Sequence, residues 1–165
     1  MHVFRRPRPG VQVLPSGCVA TIGVFDGVHL GHQQILARVR ESTVRLGLPS
    51  LVFSFEPTPQ EVMSRRQAPA RLMRPREKVV VLQDGGIDHL YCPPFERALQ
   101  ELGPGEFIER LLVRTLGVRH LVVGDDFRFA RGRAGSYDDL AAGGRQYGFG
   151  IEQVGSVTVG GLRVS

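Results

Sequence analysis

The stretch GVFDGVHLGH, Gly23 to His32, packs three glycines, one aspartate and two histidines into ten residues. It follows directly on the apolar run Cys18-Val19-Ala20-Thr21-Ile22. A short apolar run bounded by glycine is the pattern of a strand buried on both faces. Beyond it, Ile35, Leu36, Val39 and Leu46 recur near one face of a helix over residues 31–46, while Arg38, Arg40 and Glu41 turn away. Gly47 is placed to stop that helix. The ten residues are therefore a strand-to-helix turn, and two phosphate cradles are excluded there. The G-x-G-x-x-G spacing is absent, and no G-K-[ST] follows. What stands at the helix start is His29-Leu30-Gly31-His32. A helix N-terminus offers free N–H donors and a partial positive charge, so anions settle there. Gly31 lets a ligand approach the backbone closely. Two imidazolium donors three positions apart would stabilise charge developing on a phosphate under attack. A capping or packing histidine is the plainer reading of either residue alone. Zinc is rejected: no third ligand is near in sequence, and the spacing is not that of a metalloprotease helix.

Working outward, strands and helices alternate. Strands are expected at 18–24, 51–55, 89–92, 120–123 and 150–155. Helices are expected at 75–84, from Pro104 through Leu116 with Phe107, Ile108, Leu111 and Leu112 on one face, and at 136–147. Gly160-Gly161 reads as a hairpin turn. Residues 1–17, rich in Pro, Arg and Gly, read as an irregular or extended lead-in to a domain over 18–165. The connection from Pro57 to about Pro75 is long for a compact α/β unit, which marks it as a functional candidate. Alternation with near-continuous apolar strands predicts an α/β fold, a parallel sheet with helices on both faces. Ligands of such sheets bind at the carboxyl ends of the strands, where strand order reverses. Segments 23–32 and 124–135 both follow strands directly and are expected side by side there.

The chain has 165 residues and a formal charge of +5, with 42% hydrophobic and 22% charged residues. That suffices for one cored domain without disulfides or metal. No apolar run is long enough for a bilayer, and the N-terminus lacks the apolar core of a secretory signal. Cys18 and Cys92 have no metal-type spacing and read as buried free thiols in a reducing, cytoplasmic setting. Lys78 is the single lysine among 21 cations. Arginine suits phosphate recognition, and no basic run is interleaved with aromatics as in a single-strand binder. Small anionic ligands are favoured over nucleic acid or membrane. Oligomeric state is not legible.

Gly23-Val24-Phe25-Asp26-Gly27-Val28-His29-Leu30-Gly31-His32-Gln33 closely resembles the nucleotide-binding motif of the FMN adenylyltransferase (FAD synthetase) module of bacterial bifunctional riboflavin kinase/FAD synthetases. Phe53-Ser54-Phe55-Glu56-Pro57-Thr58-Pro59 looks like that family's second motif. Further similar blocks run from Arg71-Leu72 to Glu77-Lys78, from Gly105-Glu106-Phe107 to Leu116–His120, and over Val123–Phe129. The resemblance implies a Rossmann-like nucleotidyltransferase fold and the reaction FMN + MgATP → FAD + pyrophosphate, with Mg²⁺ arriving on ATP. By this resemblance His29 and His32 bind ATP phosphates and stabilise the transition state. Gly23, Phe25, Asp26 and Gly31 shape the ATP pocket, and Asp126 belongs to the loop near the reacting groups. Pro57, Thr58 and Pro59 border the flavin and phosphates, and Phe127 and Phe129 offer rings to the flavin.

Thr58 stands where the family usually has histidine, and Val24 and Ala130 replace its commoner asparagine and glycine. The family continues with a serine/threonine-rich motif bearing an arginine and then a riboflavin kinase domain. Neither is in this chain, which is expected to be a fragment rather than a shortened paralogue. Two alternatives to the adenylyltransferase reading stand: a non-catalytic flavin or nucleotide binder, and another small nucleotidyltransferase using the same H-x-G-H logic.

Overall fold

The computed structural model describes residues 1–8, 10–63 and 70–156, with the backbone of 158–159 and 162–163. Its centre is a six-stranded sheet in the order β1-β4-β3-β2-β5-β6. The strands are β1 (His2–Phe4), β2 (Cys18–Ile22), β3 (Ser50–Phe53), β4 (His89–Tyr91), β5 (Val118–Gly124) and β6 (Gly150–Val154). Every pairing within this sheet is parallel.

Period-two alternation explains how the sheet is covered. Cys18, Ala20, Ile22, Leu51, Phe53, Leu121 and Val123 point into one buried layer with Phe107, Ile108, Leu112, Leu116 and Leu140. Val19, Val52, Leu90 and Val122 point into the other, against Leu36, Val39 and Leu82. The first layer is closed by α5 (Pro104–Glu106), which runs on into a π-helical segment Phe107–Leu116, and by α6 (Tyr137–Tyr147). The second is closed by α1 (Leu30–Leu46) and α3 (Pro75–Asp84). Two short helices, α2 (Pro59–Met63) and α4 (Arg97–Gln100), lie in the connections. The expected parallel sheet with helices on both faces is the fold.

The π-helical winding of Phe107–Leu116 was not expected; five-residue spacing then aligns side chains, so Thr115 Oγ1 donates to the Arg110 carbonyl at 2.7 Å. Cys18 and Cys92 are buried free thiols, and burial pushes Cys18 up to about 12.

The lead-in is bound into this body. β1 pairs with β4, His2 opposite His89 and Phe4 opposite Tyr91. Val13 N–H donates to the Thr115 carbonyl at 2.7 Å, and Gln12 Nε2 to that of Val113 at 2.9 Å. A three-residue edge strand beside Arg5-Arg6-Pro7 carries too little periodicity to register in a composition-based reading. Strand ends differ from expectation by one or two residues. The expected turn at Gly160-Gly161 lies outside the described residues; on either side of it β7 (Thr158–Val159) and β8 (Leu162–Arg163) pair antiparallel.

Leu121 is fully buried in the centre of the sheet, whereas Val44 is 86% exposed on α1. Leu121→Ala should cost about 2–5 kcal/mol in urea unfolding, and Val44→Ala less than about 0.5 kcal/mol.

Candidate active site

β2 lies between β3 and β5, so the chain leaves it toward one side and later returns on the other. This is the switch point of the sheet. Beyond Ile22, Gly23 N–H still donates to the Phe53 carbonyl at 3.0 Å. A Cβ on Gly23 would stand 2.9 Å from the Phe25 ring, so the ring takes the space a side chain would need. Phe25, Gly27 and Val28 then take positive φ angles of 51°, 79° and 35°. Phe25 and the β-branched Val28 are disfavoured there, and such backbone persists only where its surroundings hold it.

Three contacts hold this loop. The Asp26 carboxylate accepts the N–H groups of Leu72 and Met73, each at 2.9 Å. The Val24 carbonyl accepts from Lys78 Nζ at 2.7 Å and Ser54 Oγ at 2.9 Å. Phe25 is sunk to 1% exposure in the core beneath α1.

The loop delivers the chain to the first turn of α1. His29 is the N-cap, extended at ψ 173°, and its Nδ1 accepts from His32 N–H at 3.4 Å. An accepting Nδ1 leaves the proton of a neutral ring on Nε2. The two imidazoles stack, centroids 3.7 Å apart and planes 24° apart. His32 also packs on Phe25 at 4.6 Å. Among the described residues the buried His32 Nδ1 has no hydrogen-bond partner. Burial, and then the neighbouring His29 and Lys78, outweigh Asp26 and pull its pKa from the ordinary 6.5 to about 4. This corrects the expectation of two imidazolium donors: His32 is neutral near pH 7, because the burial that seats it also penalises its charge.

β5 ends beside β2, Thr21 opposite Val122. A Cβ on Gly124 would lie 3.7 Å from Ile35 Cδ1 and 3.5 Å from Asp126 Oδ1, so the early turns of α1 abut the β5 loop. Asp125 accepts from Ser156 N–H at 3.0 Å and Oγ at 2.6 Å, tying this loop to the segment after β6. Asp126 is exposed at the same edge. Phe127 lies parallel to Phe129, 5.8 Å away. Phe129 is 5% exposed, packed on Phe107 at 5.1 Å and over Gly135. From there rings continue through Phe53 and Phe55 to Phe95. Phe129 is a core ring, while Phe127, Phe55 and Phe95 are half-buried.

The second segment follows β3. Glu56–Pro57 is cis. Thr58 is 9% exposed; its Oγ1 accepts from Glu61 N–H at 3.4 Å and its N–H donates to Glu61 Oε2 at 2.8 Å. One lone pair of its hydroxyl thus helps start α2, with Pro59 the first helical residue. The Arg71 guanidinium bridges Glu56 at 2.6 Å and Glu61 at 2.7 Å. Hydrogen bonding to Arg71, more than any other cause, holds the Glu61 carboxyl down at about 2. Arg65 and Arg66 of the same connection lie outside the described residues.

Gly23, Phe25, Asp26, His29, Gly31 and His32 therefore form one assembly. Asp126 and Phe127 adjoin it from β5, and Pro57–Pro59 follow the other neighbouring strand. Lys78, Ser54 and the Arg71 clamp were not anticipated as parts of it. Their one sequence signal was Lys78 itself, a lone lysine four residues before Leu82 on a helix face that turns out to be buried. An open cleft lined by Met1, His2, Asp88 and His89 lies at the opposite, amino edge and shares no residue with these loops.

A parallel α/β sheet with a histidine-capped helix at its switch point defines a nucleotidyltransferase-like fold. The chain belongs to the FAD synthetase family, which matches residues 11–165. It is 50% identical over 149 residues to the bifunctional riboflavin kinase/FMN adenylyltransferase of Pseudomonas fluorescens, covering 90% of this chain and 48% of that protein. Identity to the Escherichia coli K12 protein of the same name is 44% over 154 residues, covering 93% and 49%. The chain thus spans about half the length of these relatives. Among solved structures, one titled a macrolide-efflux protein from Streptococcus pneumoniae superposes with a TM-score of 0.79 at 22% identity, covering 99% of this chain and 54% of that one. A pantoate-beta-alanine ligase from Francisella tularensis does so with a TM-score of 0.64 at 12% identity, covering 100% and 71%. Both share the fold. No helix among the described residues is long and apolar enough to cross a membrane.

The depressed His32 pKa fixes a pH dependence. Protons bind the unfolded imidazole better, so the stability His32 contributes is complete above 6.5 and lost as pH falls toward about 4. The loss amounts to as much as about 3 kcal/mol. Urea unfolding of the parent and of His32→Gln at pH 7 and pH 4.5 should show the parent losing more stability of the two.

Proposed function

We propose that the chain transfers the adenylyl group of ATP to FMN, giving FAD and pyrophosphate. The observation that carries this is the stacked His29–His32 pair at the N-terminus of α1, beside the carboxyl ends of β2 and β5. The adenylyltransferase activity for which the relatives are named supports the same reading. An FMN phosphate oxygen attacks the ATP α-phosphorus, the bond from that phosphorus to the β-phosphate bridging oxygen breaks, and pyrophosphate leaves. The protein's work is positioning and charge stabilisation. The first N–H groups of α1 and the two imidazoles receive the phosphates, and Gly31 leaves room for close approach. Gly23, Phe25 and Asp26 hold the loop that brings the histidines there. Asp126 stands at the adjoining edge on the nucleotide side. Phe127 is placed to face the flavin with Pro57 and Pro59 along its border, while Phe129 supports Phe127 from the core.

Mg²⁺ comes as the ATP complex and screens the charge of the phosphates. Asp26 and Asp125 are already engaged with N–H and O–H donors. That favours coordination by phosphate oxygens and water, as magnesium prefers. Thr58 supports the second reading, a nucleotide binder with slow or no turnover, because its hydroxyl carries no charge.

Incubation with FMN and MgATP, followed by chromatography, decides between them. The proposal expects FAD and pyrophosphate in equal amounts, and a loss of about 10²–10³-fold in kcat/KM for each of His29→Ala and His32→Ala. ATP binding without FAD would favour the binder.

A further inference from the structure

We infer that Lys78 is a positioning residue of this site: its ammonium holds the Val24 carbonyl, fixes the left-handed Phe25–Val28 turn, and through Phe25 seats His32. The inference rests on the adenylyl-transfer reading for its kinetic consequence and on geometry alone for its structural one.

Lys78 is 4% exposed. Its Nζ donates to the Val24 carbonyl at 2.7 Å and to Ser54 Oγ at 3.2 Å. Among the described residues it forms no ion pair with a carboxylate. Burying an ammonium on neutral acceptors is expensive, and apolar residues of similar size commonly serve stability as well or better. The Val24 carbonyl does not need the lysine to be satisfied, since Ser54 Oγ already donates to it at 2.9 Å. Stability therefore gives little reason for a charge here, and position gives a strong one. Val24 immediately precedes Phe25, the first residue of the turn at positive φ. The ring of Phe25 is one of the two on which His32 rests. Asp26 anchors the far side of Phe25 to the residues just before α3, and Lys78 anchors the near side to α3 itself. The loop is thus pinned on either side of the residue on which His32 rests, once to α3 and once to the segment that leads into it. A charge-assisted bond is the shorter and stiffer kind, and a displacement of about 1 Å at a reacting group costs on the order of 10²-fold in rate. The same ammonium lies near enough to His32 to oppose its protonation, acting with His29 and against Asp26.

The test compares Lys78→Met, which removes both donor and charge, with Lys78→Gln, which keeps a donor, in the full chain. Expected for Lys78→Met are a melting temperature equal to or above that of the parent and a kcat for FAD formation lower by about 10–100-fold. Its KM for FMN should stay within about twofold, because uniform binding is untouched. Lys78→Gln should fall between the two. The His32 ring, titrated by NMR without substrate, should move upward from about 4 toward 6.5 in both variants. Parental kcat in a folded Lys78→Met protein, or a His32 titration unchanged in both variants, would overturn the inference. So would a Lys78→Met chain that fails to fold beside a folded, fully active Lys78→Gln. A parent that makes no FAD counts against the adenylyl-transfer reading alone; the substrate-free NMR contacts between the His32 and Phe25 rings then decide, their loss in a folded Lys78→Met supporting the role of Lys78 and their retention in both variants overturning it.

Discussion

The parallel pairing of β2 with β3 on one side and β5 on the other is the constraint from which the rest follows. A strand so placed is covered on both faces, so its side chains must be apolar or small: Cys18, Val19, Ala20 and Thr21 are all fully buried. Chemistry is thereby pushed to the carboxyl edge, where the chain turns. Because β3 and β5 flank β2, the turns after all three strands meet at that edge. Those three turns carry the histidines, the Thr58 segment and the Asp126–Phe129 loop.

At that edge the backbone is held in an unfavourable shape by contacts from elsewhere. Phe25 and Val28 at positive φ are stabilised by burial, by Asp26 reaching two N–H groups of the connection, and by donors on the Val24 carbonyl. The arrangement fixes two imidazoles face to face at a helix N-terminus before any ligand arrives. In the proposed transfer such pre-organisation would spare the reaction the cost of ordering its donors. Burial keeps His32 neutral near pH 7, so in the proposed site this ring would meet a phosphate without first carrying a positive charge. An arriving anion would raise the pKa of His32. The side toward Phe127 is built differently, from rings stacked outward from the core, with Phe127 as its outer member.

Much of this was legible in the sequence for a physical reason. Strands buried on both faces write continuous apolar runs, and helices write a 3.6-residue period, so the order of elements and the parallel sheet could be read directly. The density of glycine and histidine after Ile22 marked the site. What stayed hidden depends on partners far away in the chain. Asp26 meets Met73 across 47 positions, and Lys78 meets Val24 across 54. No local pattern announces such pairs. The part Thr58 plays with Glu61 in starting α2 was passed over, although Thr58-Pro59-Gln60-Glu61 is itself a capping-box pattern. His32 read as a cation because burial, which sets its charge, has no signature in residue type. β1 was lost beneath the arginines and prolines that follow it.

The most direct measurement is a crystal structure of the chain with FMN and a non-hydrolysable ATP analogue carrying Mg²⁺. The account predicts triphosphate oxygens within about 3 Å of N–H donors in the first turn of α1 and of both imidazoles, with the flavin beside Phe127. A triphosphate bound elsewhere, for instance in the cleft between His2 and His89 at the amino edge, would contradict it.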